Sequence, residues 1–157
     1  MLHTSLGYII ARSFPEYAVM LLVGCYFLNL KISIKTLLEK TLIVGIVVSL
    51  IRMLPISFGI HTIMAMAVIL FVLVRLSKGS FNNCVVALCK IILCLVLSEG
   101  IYIKLLTQVF NIPESTFVYN YTLSGAIYTL PSLIIFALLA FLLETVLRKI
   151  NVKKVIN

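Results

Sequence analysis

The chain has 157 residues, 62% of them hydrophobic and 11% charged, with a mean hydropathy of +1.20 and a formal net charge of +8. A soluble domain averages about 45–50% apolar and about 25% charged residues, so this composition excludes an ordinary water-soluble fold. The positive charge does not point to nucleic acid, because the basic residues sit in short clusters between apolar runs, as lysines and arginines do when they mark cytoplasmic loops.

Several apolar stretches approach the length of about 20 helical residues that crosses a hydrocarbon core of about 30 Å. They are continuous rather than alternating, which argues against a β-barrel. Backbone groups inside lipid must be satisfied within each segment, so the expected elements are helices. The sequence predicts an all-α fold: a polytopic membrane protein, a five-helix transmembrane bundle forming one domain over residues 1–157.

In chain order, residues 1–13 are a weakly amphipathic lead with only Arg12 charged. They have no basic n-region and no small-residue cleavage site, so the first apolar run is expected to be a retained span rather than a signal peptide. Phe14-Pro15-Glu16 has the form of a helix start, with proline and a carboxylate placed favourably in the first turn. The first span covers about 15–30. Lys31, Lys35 and Glu39 then share one helix face at a charged surface. The second span covers about 36–54 and contains Gly45-x-x-x-Ser49, a spacing of small residues that lets helices approach closely. Pro55 to Gly59 forms a turn, and the third span covers about 60–76. Gly79-Ser80 and Asn82-Asn83 mark a loop. The fourth span, about 84–110, is longer than the core and must tilt or protrude. The segment 111–121 is a polar, tyrosine-bearing loop. The fifth span, about 123–147, is expected to bend at Pro131 and leads into a basic tail with Arg148, Lys149, Lys153 and Lys154.

Nine of the thirteen basic residues fall on one set of span ends: Lys31, Lys35, Lys40, Arg75, Lys78, Arg148, Lys149, Lys153 and Lys154. The positive-inside rule then places the N-terminus outside and the C-terminus in the cytoplasm of a multi-pass protein of the bacterial plasma membrane. Tyr17, Tyr119, Tyr121 and Tyr128 gather at the outer interface, as an aromatic belt does.

The polar residues inside apolar runs are the candidates for function. An unpaired charge deep in a bilayer costs at least about 2.5–3.5 kcal/mol, so such residues usually face the bundle and find partners. Arg52, His61, Glu99 and Lys104 fall at similar depth toward the outer face. In one reading they form an outward-facing ligand pocket in which Glu99 meets Arg52 or His61. In the other, Arg52 and Lys104 snorkel to the surface and His61 caps the turn. His61, with an unperturbed pKa of about 6.5, would make such a pocket pH-sensitive. Glu144 with Arg148 at i+4 reads as an ordinary helix pair, and Lys90 as a side chain snorkelling inward.

Cys25, Cys84, Cys89 and Cys94 contain no CxxC pair, and their spacing suits buried apolar thiols rather than a metal site or disulfide. Gly59-Ile60-His61 partly matches the GG-x-H motif of membrane peptidases that process cyclic autoinducer precursors, but the nearest downstream cysteine, Cys84, falls at the opposite membrane face. No Walker, HExxH or GxSxG motif is present. No enzyme activity, cofactor or metal is expected.

LPISFGIHTI (54–63), LSEGIYIKLL (97–106) and a proline-bearing final span ending in basic residues together resemble the N-terminal membrane-sensing region of Gram-positive sensor histidine kinases of the GHKL ATPase type, over roughly Ile43 to Lys149. Pro55, Gly59, His61 and Glu99 match the motif positions. The resemblance implies spans that detect an extracellular or membrane signal and pass it along the last helix. The sequence carries no phosphoacceptor helix and no ATP-binding module. The expectation is a non-catalytic sensor or accessory protein that responds to a small molecule or peptide and acts on a separate histidine kinase or transporter subunit. Its tail, Arg148, Lys149, Lys153 and Lys154, would contact a cytoplasmic partner or lipid. The alternative is a small membrane transport protein or transporter subunit.

Overall fold

Pro15 stands in the first turn of the first helix, where its missing N–H would find no intrahelical acceptor anyway, and Glu16 places its carboxylate at the positive end of the helix dipole. This computed structural model describes residues 13–53, 58–77, 80–111 and 127–156. Among them are five helices: α1 (Phe14–Phe27), α2 (Ile34–Met53), α3 (Phe58–Ser77), α4 (Phe81–Gln108) and α5 (Pro131–Ile156). No strand occurs among the described residues. The all-helical expectation holds.

Two helices are long and apolar enough to cross a membrane, Phe81–Gln108 and Ile127–Lys149. Phe14–Phe27 and Thr62–Ser77 are apolar but shorter. α1 has 14 residues, about 21 Å at 1.5 Å per residue, against a core of about 30 Å. In α2 the first turns carry Lys35, Glu39 and Lys40, which shortens its uncharged length. The apolar helical stretch Ile127–Lys149 is interrupted at Pro131: residues 127–129 are helical, the Leu130 N–H donates to the Ile127 carbonyl in a turn, and Pro131 is the first residue of α5.

The short α1 sits at the centre and contacts each of the other four helices. It buries Tyr17, Met20, Leu21, Val23, Gly24, Cys25 and Phe27, an arc of about 200° at 100° per residue. A helix apolar over so wide an arc is satisfied only when surrounded. Gly24 is where the neighbours come closest: a Cβ there would lie 2.8 Å from Leu73 Cδ2 and 3.2 Å from Ile91 Cδ1. Gly45 does the same work on α2, where a Cβ would lie 3.0 Å from Phe14 Cε2. Gly45 therefore packs against the start of α1, while Ser49 Oγ donates back to the Gly45 carbonyl at 2.6 Å.

Local signals explain the ends. The Ser33 side chain caps α2, its Oγ accepting from the Thr36 N–H at 3.2 Å. α1 ends in a Schellman turn: Asn29 has φ of 53°, its N–H donates to the Tyr26 carbonyl, and the Leu30 N–H donates to the Cys25 carbonyl. Asparagine tolerates this left-handed conformation better than most residues.

α4 and α5 form the most extensive pair. The inward line of α4 is Cys84, Ala87, Ile91, Cys94, Ser98, Tyr102 and Leu106, mostly small toward its first half. α5 answers with a row at four-residue spacing, Ser132, Phe136, Ala140 and Glu144, all buried. Small residues on one helix permit the close approach that the other exploits.

Candidate functional site

That row on α5 places a carboxylate inside the bundle. Glu144 is 6% exposed. A buried charge is tolerated only when paired and hydrogen-bonded, and both oxygens of Glu144 are engaged. Lys90 Nζ of α4 donates to Oε2 at 3.0 Å, and Arg148 Nε, one turn further along α5, donates to Oε1 at 3.1 Å. The Arg148 guanidinium also donates to Asn29 Oδ1 at 2.5 Å.

Aromatic rings from α1 complete the surroundings. Lys90 Nζ lies 5.1 Å from the centre of the Phe27 ring, and the Arg148 guanidinium 5.3 Å from that of Tyr26. Tyr26 stacks in turn on Phe141 at 5.8 Å. Cations over ring faces gain most where water is scarce. Three helices are thus tied together: α1 through Tyr26, Phe27 and Asn29, α4 through Lys90, and α5 through Glu144 and Arg148. The left-handed Asn29 aims its amide at the guanidinium because the Schellman turn fixes its backbone.

Chemically this is a clamp. Both carboxylate oxygens are engaged by cations of the protein itself, one from each of two helix positions. Two cations share one carboxylate, so the cluster keeps one net positive charge. Beside it runs an open groove of about 320 Å³ between α4 and α5, with Val86, Cys89, Leu93, Leu143 and Leu147 as apolar walls and Lys90 as the charged lining residue.

Other polar groups of the seam bond to backbone carbonyls, two of them within their own turn and Tyr102 across to the residues before α5. Ser98 Oγ donates to the Leu95 carbonyl at 2.8 Å, Ser132 Oγ to the Thr129 carbonyl at 2.7 Å, and Tyr102 Oη to the Tyr128 carbonyl. Between α3 and α4, Ser77 Oγ and Cys84 Sγ lie 3.2 Å apart. All four cysteines are free thiols; Cys25, Cys84 and Cys94 are buried and Cys89 is exposed.

The residues expected from the sequence to form an outer pocket are placed less closely. Glu99 is half-buried and Lys104 exposed, both on α4. Five residues apart, they point about 140° away from each other around the helix. Pro55 and the side chains of Arg52 and His61 lie outside the described residues, as do the side chains of Lys153 and Lys154. Gly59 belongs to the first turn of α3. Arg148 and Lys149 are exposed on α5.

The contacts also fix which helix ends meet. Gly24 of α1 faces Leu73 of α3 and Ile91 of α4, and Asn29 meets Arg148. The end of α1, the end of α3, the first half of α4 and the last half of α5 therefore share one end of the bundle, and Lys31, Arg75, Lys90, Arg148 and Lys149 belong to that end. No protein-family model, curated protein or solved structure matches the chain.

Proposed function

We propose that the chain is a non-catalytic integral membrane protein of five spans, N-terminus outside and C-terminus cytoplasmic, that senses a signal or serves as an accessory subunit and acts on a separate partner through α5. The observation that carries this reading is the continuity of α5. Its 26 residues from Pro131 to Ile156 measure about 39 Å, about 9 Å more than a hydrocarbon core. The excess projects the basic tail as a rigid continuation of a membrane helix, and the Lys90–Glu144–Arg148 clamp fastens that helix to α1 and α4 just before it leaves the bundle. A shift in packing among these helices is thereby passed to Arg148, Lys149, Lys153 and Lys154.

Embedding in lipid is supported by the distribution of side chains. On α2, Ile34, Leu38, Leu42, Ile46 and Leu50 form an exposed stripe, while Thr41, Ser98, Ser132 and Glu144 point inward. A soluble monomer rarely exposes apolar area on this scale. The short α1 is accommodated by local thinning of the bilayer and snorkelling of the flanking lysines. The resemblance to kinase sensing regions supports the signalling role, with Arg52, His61, Glu99 and Lys104 as the candidate ligand residues and a small molecule or peptide as the ligand.

A C-terminal fusion to a fluorescent protein that folds only in the cytoplasm tests the topology, and a fluorescent, carbonate-resistant membrane fraction is expected. Purified chain in proteoliposomes tests the role. Accumulation of solute by the chain alone would replace sensing by transport.

A further inference from the structure

We propose that the outward face of α4 is a contact surface for a second copy of this chain, with the two helices parallel and crossing at Gly100. The inference rests on the membrane embedding proposed above and adds a partner to it.

The pattern lies along the helix. Leu93, Val96, Gly100, Ile103 and Thr107 recur at alternating steps of three and four, the heptad spacing that keeps one seam of a helix against a partner. At 100° per residue this row runs on the side of α4 away from its buried line of Ile91, Cys94, Ser98, Tyr102 and Leu106. Leu93 and Val96 are 52% and 64% exposed, Gly100 is exposed, and Ile103 and Thr107 are half-buried.

Apolar side chains alone would suit lipid equally well. Gly100 asks for more. It stands mid-helix, where glycine is less favourable than alanine, yet a Cβ added there would meet nothing of its own chain within 4 Å. No neighbour inside the bundle requires its small size. A helix approaching closely from another chain does.

Charge complementarity identifies that helix. With Gly100 at heptad position a, Glu99 is at g and Lys104 at the following e. In a parallel pair, g of one helix lies beside the e position five residues further along the other. The separation of about 140° that sends Glu99 and Lys104 to different sides of one helix sets them on the two flanks of the row. Each then meets its opposite on the second copy, and a two-fold axis forms both pairs at once. Lys104 is exposed. Glu99 is half-buried and engaged within its own chain, but a carboxylate has about four lone-pair sites and can accept a further donor. Copies inserted with the same topology carry α4 in the same direction, so the parallel arrangement follows. Helices crossing at about 20° part by about 6 Å between Gly100 and Cys89, which leaves Cys89 open.

Cysteine cross-linking in membranes tests the surface, in chain carrying Cys89→Ala. Val96→Cys, in the row, is expected to give a covalent dimer on copper–phenanthroline oxidation in at least about fivefold the yield of Ile101→Cys, which is exposed outside the row, because a disulfide forms only between close Cβ atoms. Gly100→Ile puts bulk at the crossing and is expected to remove most of the Val96→Cys dimer, while the melting temperature of the separated chain stays at or above wild type. Lys104→Glu chain and Glu99→Lys chain, each with Val96→Cys and its own tag, are expected to dimerise weakly alone and to pair with each other when co-expressed. Only the mixed dimer sets opposite charges against each other at both contacts. The proposal is overturned if Ile101→Cys cross-links as well as Val96→Cys, if neither does, if Gly100→Ile leaves the yield unchanged, or if the two charge variants pair no better together than apart. Failure of the embedding reads out separately: chain released by carbonate refutes both readings, whereas chain that is retained but monomeric refutes this one alone.

Discussion

Lys90 and Glu144 are 54 residues apart in the chain and 3.0 Å apart in the fold. Their bond crosses the α4–α5 interface, and Arg148 holds the other carboxylate oxygen from within α5. The acid and the two bases are not equivalent. Lys90 has one carboxylate partner, whereas the carboxylate has two cations, so loss of the acid leaves both cations without an anion, and loss of either base leaves an intact pair.

That asymmetry predicts the order of effects on stability. Glu144→Ala should cost about 1.5–3 kcal/mol, because it removes two charge-assisted hydrogen bonds while Lys90 and Arg148 both keep some exposed surface. Lys90→Met should cost clearly less, because Arg148 still compensates the acid and the methionine can fill the space beside Phe27. Unfolding of detergent-solubilised chain measures both. Equal losses would show that Arg148 does not compensate the carboxylate.

Two glycines should respond with opposite signs. Gly24→Ala places a methyl 2.8 Å from Leu73 Cδ2 at the most crowded point of the bundle; overpacking of this kind costs about 1–3 kcal/mol. The clash is with side-chain tips, so relaxation keeps it within that range. Gly100, mid-helix in α4, has nothing within 4 Å of the added Cβ, and Gly100→Ala should stabilise by about 0.5–1 kcal/mol through helix propensity alone. A neutral Gly24→Ala would mean that α1 and α3 are further apart than described.

Much of this architecture was legible in the sequence, for reasons that differ between residues. Pro15 and Glu16 announced the start of α1, Gly45-x-x-x-Ser49 announced a close approach, and the long apolar run at 84–110 announced α4. Each is a local signal set by backbone geometry or by continuous hydropathy. The clamp was only half visible. Glu144 and Arg148 are one turn apart, so their pairing follows from helix pitch, but nothing local says that Glu144 faces inward or that Lys90 meets it. Both depend on how α4 and α5 are rotated against each other. One signal was available: the four-residue row from Ser132 through Phe136 and Ala140 runs directly to Glu144. The outer group of Arg52, His61, Glu99 and Lys104 was assembled from depth alone, and depth does not determine facing, as the divergence of Glu99 and Lys104 around α4 illustrates.

Asn29 combines a backbone role with a side-chain role, and substitutions can separate them. Asn29→Gly keeps the left-handed turn, since glycine takes φ near 53° without strain, but loses the acceptor for Arg148. Asn29→Ala loses both. Melting temperatures should fall in the order wild type, glycine, alanine, with the alanine variant about 1 kcal/mol below the glycine one. An alanine variant as stable as the glycine variant would mean that the turn relaxes out of the left-handed region.

Thiol chemistry reports on helix rotation directly. Cys84, Cys89 and Cys94 lie on one helix at five-residue intervals, which carries them to different faces: Cys84 and Cys94 are buried, and Cys89 opens on the groove. Cys25 is enclosed at the end of α1. A thiol must meet both reagent and water to react as thiolate, so N-ethylmaleimide should modify one cysteine per folded chain in detergent, and Cys89→Ala should abolish that fast reaction. The other three should react only once the chain is unfolded. Fast modification of Cys84 or Cys94 in folded chain would place the buried face of α4 elsewhere, and with it the position of Lys90 against Glu144.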